Sequence, residues 1–356
     1  MSLSIGVQQR LAAKKATVWG TAVAVGAGNE ISFLSGQAKR SASVESDNSR
    51  GLAFTKDGTP GPVSIAAGFN HNLRYEGLDV ILAAFMGIAG APAIQGAGPA
   101  YQNIYKWNTD IYGIFVTLAK LMTPNTYIEE VPTAKISGLT ITGEVGAKPL
   151  QLAIETIGIN KVADSVINTL ATFSSVTMPT GADLNPVMFS HLAFRMNAQS
   201  GAALAGGDVI LPSKFSLSLK RKLKGEYTGA YRTTGSNIQD LIDEPTNDGM
   251  PELKLTLEFP THSAATYLTA LGSDSRYKMD IAATGALLNA TYYYKHLWQF
   301  PHLQLITADP TDDQGRIKQP LEFLIHGVAT APTGMTGITD PLWWTVINKR
   351  TTDPLA

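Results

Sequence analysis

The side chains best suited to catalysis or metal binding are scattered along the chain. None of the histidines forms an H-E-x-x-H pair or another tight spacing that would hold zinc. His296 and His302 flank Trp298 and follow the run Tyr292–Tyr294. They could form a ligand-stacking site or a subunit contact, and we favour the contact. His71 continues the apolar face of a predicted strand and is expected to be half-buried and hydrogen-bonded. The six histidines are His71, His191, His262, His296, His302 and His326.

Nucleophile and phosphate-binding motifs are missing from the sequence. There is no G-x-S-x-G segment, and neither Gly26-Ala27-Gly28 nor Gly96-Ala97-Gly98 completes a dinucleotide-binding loop. The acidic residues within 309–313 resemble part of a calcium loop, but Pro320 stands where its last glutamate is needed, so we interpret them as an acidic turn. The sequence therefore predicts no catalytic residue, no metal site and no cofactor.

Two charged clusters complete the search for chemistry. Asp240, Asp243 and Glu244 could act as paired carboxylates, but they lie in a polar segment with no apolar pocket to raise a pKa. The basic group Lys220–Lys222, with Lys224, could bind phosphate. A solvated strand end or a salt bridge to a neighbouring chain is the better interpretation. We therefore expect a protein that is not an enzyme.

Composition limits the remaining functions. Of 356 residues, 16% are charged, the net charge is -1 and there is no cysteine. A charged fraction below the ~25% of typical domains is consistent with surfaces hidden against neighbours. Near-neutrality argues against general nucleic-acid binding, and the lack of cysteine excludes disulfides and thiolate metal sites. No secretory signal is visible and the longest apolar run, Val80–Ala91, is too short for a membrane helix, so synthesis in a cytoplasm is expected.

Two parts of the chain share one order of predicted elements. The segments 28–40 and 207–221 each lead into a long polar stretch, about 41–62 and 222–249. An alternating strand follows each stretch: Val63–Asn70 in the first half and Leu253–Phe259 in the second.

A short helix is predicted after each of these strands. The first covers Glu76–Met86 and ends at Gly87, and the second covers Ser263–Leu271, with Ser263 as cap and Gly272 as stop. Further strands close each half. The repetition predicts a mainly β (β-rich α+β) protein made of two tandem domains, each with a short flanking α-helix.

The predicted boundaries follow from this repeat. They are an amino-terminal arm at 1–27, a first domain at 28–160, a linker at 161–205, a second domain at 206–328 and a carboxy-terminal arm at 329–356. Trp343 and Trp344 are candidate anchors of the last arm, because adjacent tryptophans are costly to leave in water. We expect this arm to lie on a partner or on the chain's own domain.

A half with few strands and one helix leaves sheet edges that must be covered. Two tandem copies can pair with each other and then with the next chain. A head-to-tail interface of this kind closes into a ring or continues as a filament. We therefore expect a structural protein that assembles with copies of itself.

Four segments resemble the tail tube (major tail) proteins of long-tailed bacteriophages, the siphoviruses. They are Trp19–Ala22, Tyr75–Gly87, Ile136–Leu139 and Phe215–Arg221, and the resemblance extends over about residues 17–330. Within that family, the chain is similar to the subgroup in which one chain carries two tube domains.

The resemblance implies two β-sandwich or split-barrel domains in tandem. It implies that three chains make a pseudo-hexameric ring, that rings stack around a tape-measure protein, and that DNA later passes through the lumen. It also implies tail-tip and terminator proteins as partners, no membrane contact, and a place in the virion tail after synthesis in the host bacterial cytoplasm.

Residue roles follow within that interpretation, with the apolar faces of the alternating strands expected in the core. The candidate lumen-facing residues are Ser64, Asn70, Glu252, Lys254, Thr256 and Glu258. The candidate ring-to-ring contacts, in the two long polar loops, are Asp47, Arg50, Lys56, Asp57, Tyr227, Tyr231, Arg232, Asp240 and Asp243.

Three other functions stay open at this point. A baseplate hub or tail terminator would use a similar fold but form a single ring. A carbohydrate-binding β-sandwich would present Tyr292–Tyr294, Trp298 and His302 as an exposed aromatic platform. A β-fold hydrolase would need a site of a kind not recognised in the sequence.

Overall fold

The computed structural model describes residues 9–45, 59–123, 127–146, 148–179, 185–227, 241, 243–262, 266–271, 273–289 and 291–356. Strand accounts for 54% of the structure and helix for 8%. The strand fraction is more than twice the ~20–25% of an average domain. The predicted mainly β fold class is confirmed.

The elements are numbered along the chain. The strands of the first half are β1 (Arg10–Ala16), β2 (Glu30–Ile31), β3 (Ser35–Glu45), β4 (Thr59–Asn72), β5 (Gly87–Ile88), β6 (Ala93–Gln95), β7 (Ala100–Trp107), β8 (Phe115–Thr123), β9 (Tyr127–Glu144), β10 (Gln151–Gly158) and β11 (Val162–Ala163). The helices are α1 (Asp79–Met86), α2 (Leu170–Ser174) and α3 (Thr266–Leu271), with 3-10 turns at Phe189–His191 and Gly206–Asp208.

The second half adds eleven more strands among the described residues. They are β12 (Leu192–Ala198), β13 (Val209–Ile210), β14 (Lys214–Lys220), β15 (Leu223–Lys224), β16 (Thr246–Asn247), β17 (Glu252–Phe259), β18 (Arg276–Asn289), β19 (Tyr292–Thr307), β20 (Thr311–Asp313), β21 (Arg316–His326) and β22 (Trp343–Asn348).

The same order of paired strands occurs twice. In the first half the antiparallel neighbours run β2-β1-β8-β9-β10-β4-β3. In the second half they run β13-β12-β18-β19-β21-β17-β14. Each member of the first series corresponds to one of the second, and α1 and α3 follow the corresponding strands β4 and β17.

Two contacts join the halves into one sheet. The outer part of β9, from Gly138 to Glu144, pairs with β14 of the second half. The carboxy-terminal strand β22 inserts between β7 of the first half and β19 of the second. One hydrophobic core cluster runs through both halves as a consequence.

The alternating strands lie where the sequence predicts them. In β17, Leu253, Leu255 and Leu257 are buried while Glu252 and Lys254 are exposed. The helix predicted from Glu76 begins later, at Asp79, because Gly77 has a φ of 88°, outside the helical region. It ends as predicted at Gly87, which has the left-handed φ of 89° that glycine adopts without strain. Ser263 and Gly272, the predicted ends of the second helix, lie outside the described residues.

Some segments assigned to arms, linker and loops are strands. Residues 10–16 of the predicted arm form β1, and residues 192–198 of the predicted linker form β12. In β1, Leu11, Ala12 and Ala13 are all buried, so the strand has no period-two pattern to reveal it. The first polar stretch is also shorter than predicted, because β3 continues to Glu45 and β4 begins at Thr59.

Candidate assembly and channel surface

One face of the joined sheet carries the side chains predicted to line a lumen. Residues directly opposite each other in antiparallel strands point to the same side of the sheet. One row of such partners runs Asn70–Ala153–Thr140–Ser218–Lys254, across β4, β10, β9, β14 and β17. The candidates from the two halves therefore share one face.

We call this surface the polar face. It comprises Ser64, Ala66, Gly68, Asn70 and Asn72 of β4, Gln151, Ala153 and Glu155 of β10, Gly138, Thr140, Thr142 and Glu144 of β9, Lys214, Ser216, Ser218 and Lys220 of β14, and Glu252, Lys254, Thr256 and Glu258 of β17. Ser64, Asn70, Glu252 and Lys254 are exposed, and Thr256 and Glu258 are half-buried.

Lysines on and beside the polar face are paired with glutamates. The pairs are Lys220–Glu155 at 3.2 Å, Lys254–Glu322 at 2.9 Å, Lys222–Glu252 at 3.0 Å and Lys318–Glu258 at 3.1 Å. Exposed pairs contribute little stability, so their main effect is to offset the positive charge locally. Hydrogen bonding to Glu322 raises the pKa of Lys254, and hydrogen bonding to Lys222 lowers the pKa of Glu252. Both pairs stay ionised at neutral pH.

A buried arginine joins the two halves behind this face. Arg221 directly follows β14, and its backbone N–H donates to the carbonyl of Ser137 in β9. Its guanidinium donates to the carbonyls of Phe85 (2.9 Å) and Met86 (3.2 Å), the last residues of α1. It also lies 3.9 Å from the ring centroid of Trp107. A cation is favourable at a helix carboxy terminus, where carbonyls are otherwise unpaired.

This position corrects the interpretation of the basic cluster as a solvated strand end. Lys220 and Lys222 make exposed ion pairs, but Arg221 is only 5% exposed. Burial lowers the pKa of Arg221, yet the group stays charged at neutral pH. The sequence carries no sign of this burial, because Phe85, Met86 and Trp107 lie more than a hundred residues earlier.

A buried ion pair holds the other end of the second polar stretch. Lys135 Nζ lies 3.1 Å from Glu244 Oε1, with both side chains almost fully buried. Glu244 also accepts the backbone N–H of Gly113 at 2.9 Å. Burial lowers the pKa of Lys135, and the hydrogen bond that Lys135 donates to Glu244 opposes that shift. The interpretation of Glu244 as a residue of a polar loop without an apolar pocket was wrong, because its side chain is buried. Neighbouring Asp243 is exposed, as that interpretation expects.

The predicted ring-to-ring contacts fall mostly on residues that the structure does not describe. Asp47, Arg50, Lys56, Asp57, Tyr231, Arg232 and Asp240 lie outside the described residues. Tyr227 is half-buried and forms a β-bridge with Leu241. The described base of this loop is a two-stranded ribbon, β15 with β16; Arg221 lies two residues before β15 and Glu244 two residues before β16.

Some of the aromatic and histidine candidates are parts of the core, whereas Tyr293 is 47% exposed and Tyr292 and His302 are half-buried. Trp298 is 1% exposed and Tyr294 is 4% exposed, so the aromatic run does not form the open platform that carbohydrate binding requires. His71 is fully buried, with Nδ1 2.7 Å from the carbonyl oxygen of Ser32, and burial lowers its pKa to about 4. Among the described residues, no group of three or more His, Asp or Glu side chains could hold a metal ion.

The candidate arm anchors lie in β22, inside the sheet. Trp344 is fully buried between β7 and β19, and its ring packs 5.3 Å from that of Trp298. Trp343 is half-buried, donates its indole N–H to Asp340, and has the ammonium of Lys106 4.1 Å from its ring centroid. The carboxy-terminal segment thus packs on both halves of its own chain.

The family model for the phage tail tube protein matches residues 6–324, and the chain belongs to this family. It is thus a structural component of a phage tail, of the kind that self-assembles into a tube. The resemblance predicted from the sequence is confirmed. A comparison with curated proteins found no match. Among the described residues, no helix has the length and apolar character needed to cross a bilayer.

Proposed function

We propose that three chains close into a pseudo-hexameric ring and that such rings stack to form the tail tube. In this proposal one chain supplies two tandem tube units, at about 10–158 and 192–326. The supporting observation is the identical strand order of the two units, together with the pairing of β9 with β14 in one sheet. A junction that joins two units within a chain can be repeated between chains until a ring closes.

The polar face lines the channel in this assembly, and DNA leaves through it during ejection. A conduit needs few unpaired cations, because each contact with a phosphate adds attraction that slows passage. The lysine–glutamate pairs meet that need by leaving the face close to neutral. The proposed lining includes the candidates named from the sequence: Ser64, Asn70, Glu252, Lys254, Thr256 and Glu258.

Before ejection, the same channel surrounds the tape-measure protein, and the tube ends bind tail-tip and terminator proteins. Two loops carry the contacts between stacked rings. One connects β3 to β4, and the other connects β15 to β16. Such loops can reach a neighbouring ring without disturbing the core. The described part of the second loop is held at its base by Arg221 and Glu244.

Electron microscopy of the purified chain, combined with mass measurement in solution, tests the assembly. We expect tubes built from rings whose mass corresponds to three chains. Single rings that never stack would instead indicate a hub or terminator, and a persistent monomer with no rings would contradict the proposal. A tube structure in which Asn70 and Lys254 point away from the lumen would contradict the assigned lining.

Loop deletion tests the ring-to-ring contacts. Replacing residues 46–58 by a short Gly-Ser linker is expected to leave a folded chain that forms rings but no tubes. A chain with the β20–β21 turn, Gln314–Gly315, replaced by Asn-Gly is the control and should form normal tubes. Tubes of normal length from the chain lacking residues 46–58 would refute the assignment.

A further inference from the structure

Strand β3 differs from its counterpart β14 in one respect. Strand β14 has partners on both sides, β17 and β9. Strand β3 pairs with β4, and no described strand lies along its other side. An open strand edge of this length is a template for pairing with another chain, and proteins usually cover or guard it.

The space beside the open edge is a cavity. A cavity of about 970 Å³ runs along β3, lined by residues that include Phe33, Gly36, Lys39 and, from β8, Lys120 and Met122. In the second half, the corresponding place beside β14 is filled by the outer part of β9. The sheet of the second half is therefore extended next to β14 by β9 of the first half. The sheet of the first half has no equivalent described strand next to β3.

Two lysines guard the open edge in the single chain. Lys120 Nζ donates to the carbonyl of Gly36 at 2.7 Å, and Lys161 Nζ donates to the carbonyl of Ala38 at 3.1 Å. These carbonyls belong to alternate residues of β3, which point to the same side of the strand. Ammonium groups thus occupy acceptors that a further strand would use.

The strand that would fill the corresponding place is β19, the counterpart of β9. Strand β18 pairs with β19 only as far as Gln304, although β19 continues to Thr307. Ile306, in that last segment, is 37% exposed. Among the described residues, no strand continues the pairing on the β18 side beyond Gln304. The chain thus carries one open edge on β3 and one open strand end on β19.

The order of paired strands is the same in both halves, and this repetition sets the register between the two edges. Within the chain, Ser218 of β14 lies opposite Thr140 of β9. Gln37 stands two residues before Lys39-Arg40, as Ser218 stands two residues before Lys220-Arg221. Asn70 and Thr256 are counterparts, because they lie opposite Ser35 and Ser216, which stand two residues before Gln37 and Ser218. Following the paired residues across each sheet from these two positions makes Thr307 the counterpart of Thr140. The steps are Thr140–Ala153–Asn70 in the first half and Thr307–Glu322–Thr256 in the second.

Arg40 supports the same docking. Its counterpart Arg221 is buried against the carboxy end of α1, the helix of the other half. Arg40 is exposed in the single chain. In the repeated junction, the Arg40 guanidinium reaches the carboxy end of the next chain's α3, which has no basic residue in its own last turn.

We propose that the junction between chains repeats the junction between halves: β3 of one chain pairs antiparallel with the end of β19 of the next. Gln37 lies opposite Thr307 of the neighbouring copy, the hairpin of β19 and β21 enters the cavity beside β3, and Lys120 and Lys161 leave the β3 carbonyls. This inference rests on the proposed ring and specifies which edges close it.

Cysteine cross-linking tests the junction, since the chain has no cysteine of its own. The full-length variant Gln37→Cys/Thr307→Cys is assembled and then oxidised, and its products are separated under denaturing, non-reducing conditions. We expect covalent dimers and trimers, with closed trimers as the largest species. Gln304→Cys and Ile306→Cys, each combined with Gln37→Cys, detect a register displaced along β19.

Two controls use the same chemistry. Ser218→Cys/Thr140→Cys places the pair at the existing internal junction, so its disulfide should form without any change in mass. Gln37→Cys/Val166→Cys pairs β3 with a residue that is 88% exposed outside β19, and it should give no ladder.

Two readouts separate the inference from the function on which it rests. Absence of interchain cross-links at all three β19 positions, in variants that form rings or tubes by microscopy, overturns the β3–β19 junction and leaves the ring proposal intact. Absence of rings from the cysteine-free parent contradicts the proposed function itself. A ladder continuing beyond trimers contradicts ring closure after three chains.

Discussion

The acid sensitivity of the fold can be derived from His296, which lies in β19 beside β22. Its Nε2–H donates to the carbonyl of Arg74 at 3.0 Å, and its Nδ1 accepts the indole N–H of Trp344 at 3.0 Å. The neutral ring therefore uses both nitrogens, and it is 1% exposed. A second proton, on Nδ1, would point at the Trp344 N–H and would break this hydrogen bond. Burial is the main cause that lowers the pKa of His296 to about 4.

The direction and size of the effect follow from linkage between protonation and folding. The unfolded chain takes up a proton near the ordinary pKa of 6.5, whereas the folded chain stays neutral until about 4. The free energy of unfolding therefore falls as the pH drops through this window and levels off below it. At ~1.4 kcal/mol per pKa unit, His296 alone accounts for a loss of about 2 kcal/mol between pH 8 and pH 5.

Urea unfolding at pH 8 and pH 5, followed by tryptophan fluorescence on unassembled chain, measures this loss. His296→Gln keeps a hydrogen-bonding group but cannot titrate in this window. We expect the pH 8 to pH 5 difference to shrink by about 2 kcal/mol relative to the parent chain. Val346→Ala, which trims the residue opposite His296 in β22, should lower stability equally at both pH values.

The reasoning fails if His296→Gln retains the full pH dependence of the parent. Trp344→Phe provides a second check, because it removes the N–H that occupies Nδ1. Protonated His296 then no longer opposes a donor, so the acid-induced loss should also become smaller than in the parent chain. An unchanged loss in this variant would mean that the Trp344 contact does not disfavour the charged ring.

Three further predictions concern the junction and the buried charges. Lys135→Met leaves Glu244 buried without its cation and should lower the free energy of unfolding by about 3–5 kcal/mol, measured with urea. The double variant Lys135→Met/Glu244→Gln should recover part of this loss. Equal stability of the single and the double variant would contradict the prediction. Arg221→Ala should lower the melting temperature more than Arg221→Lys, measured by calorimetry, because a lysine still supplies a cation to the end of α1. Arg40→Ala should block ring formation by sedimentation without changing monomer stability, whereas Lys148→Ala, at a 78% exposed side chain between β9 and β10, should not; assembly by Arg40→Ala would argue against its docking role.

Several features follow from local sequence pattern alone. The alternation over Leu253–Phe259 specifies a strand with one buried face, because side chains in a strand point alternately to its two sides. The helical spacing before Gly87 specifies α1, and glycine is the residue that adopts the left-handed end. The repeated order of these elements predicted the duplication, and four short segments carried the resemblance to the family.

Strands without a periodic pattern escaped the sequence analysis. In β1 both faces are covered, so Leu11, Ala12 and Ala13 are buried in succession. The segment 28–40 predicted only the first part of β3, because almost every described position of this strand is exposed and no apolar stripe appears in its sequence. Period-two patterns arise only where one face is buried and the other is wet.

The sequence by itself thus determined the repeated order of the alternating strands and their helices, and the lack of a recognisable active site. The tertiary structure decided which residues carry the junction. Lys135 and Glu244 are 109 positions apart, and Arg221 meets Phe85 across 136 positions. Charges are buried only where a distant partner compensates their lost hydration, so their burial depends on contacts that no local pattern encodes. The same holds for the open edge of β3, since an unpaired edge is defined by which strands lie beside it.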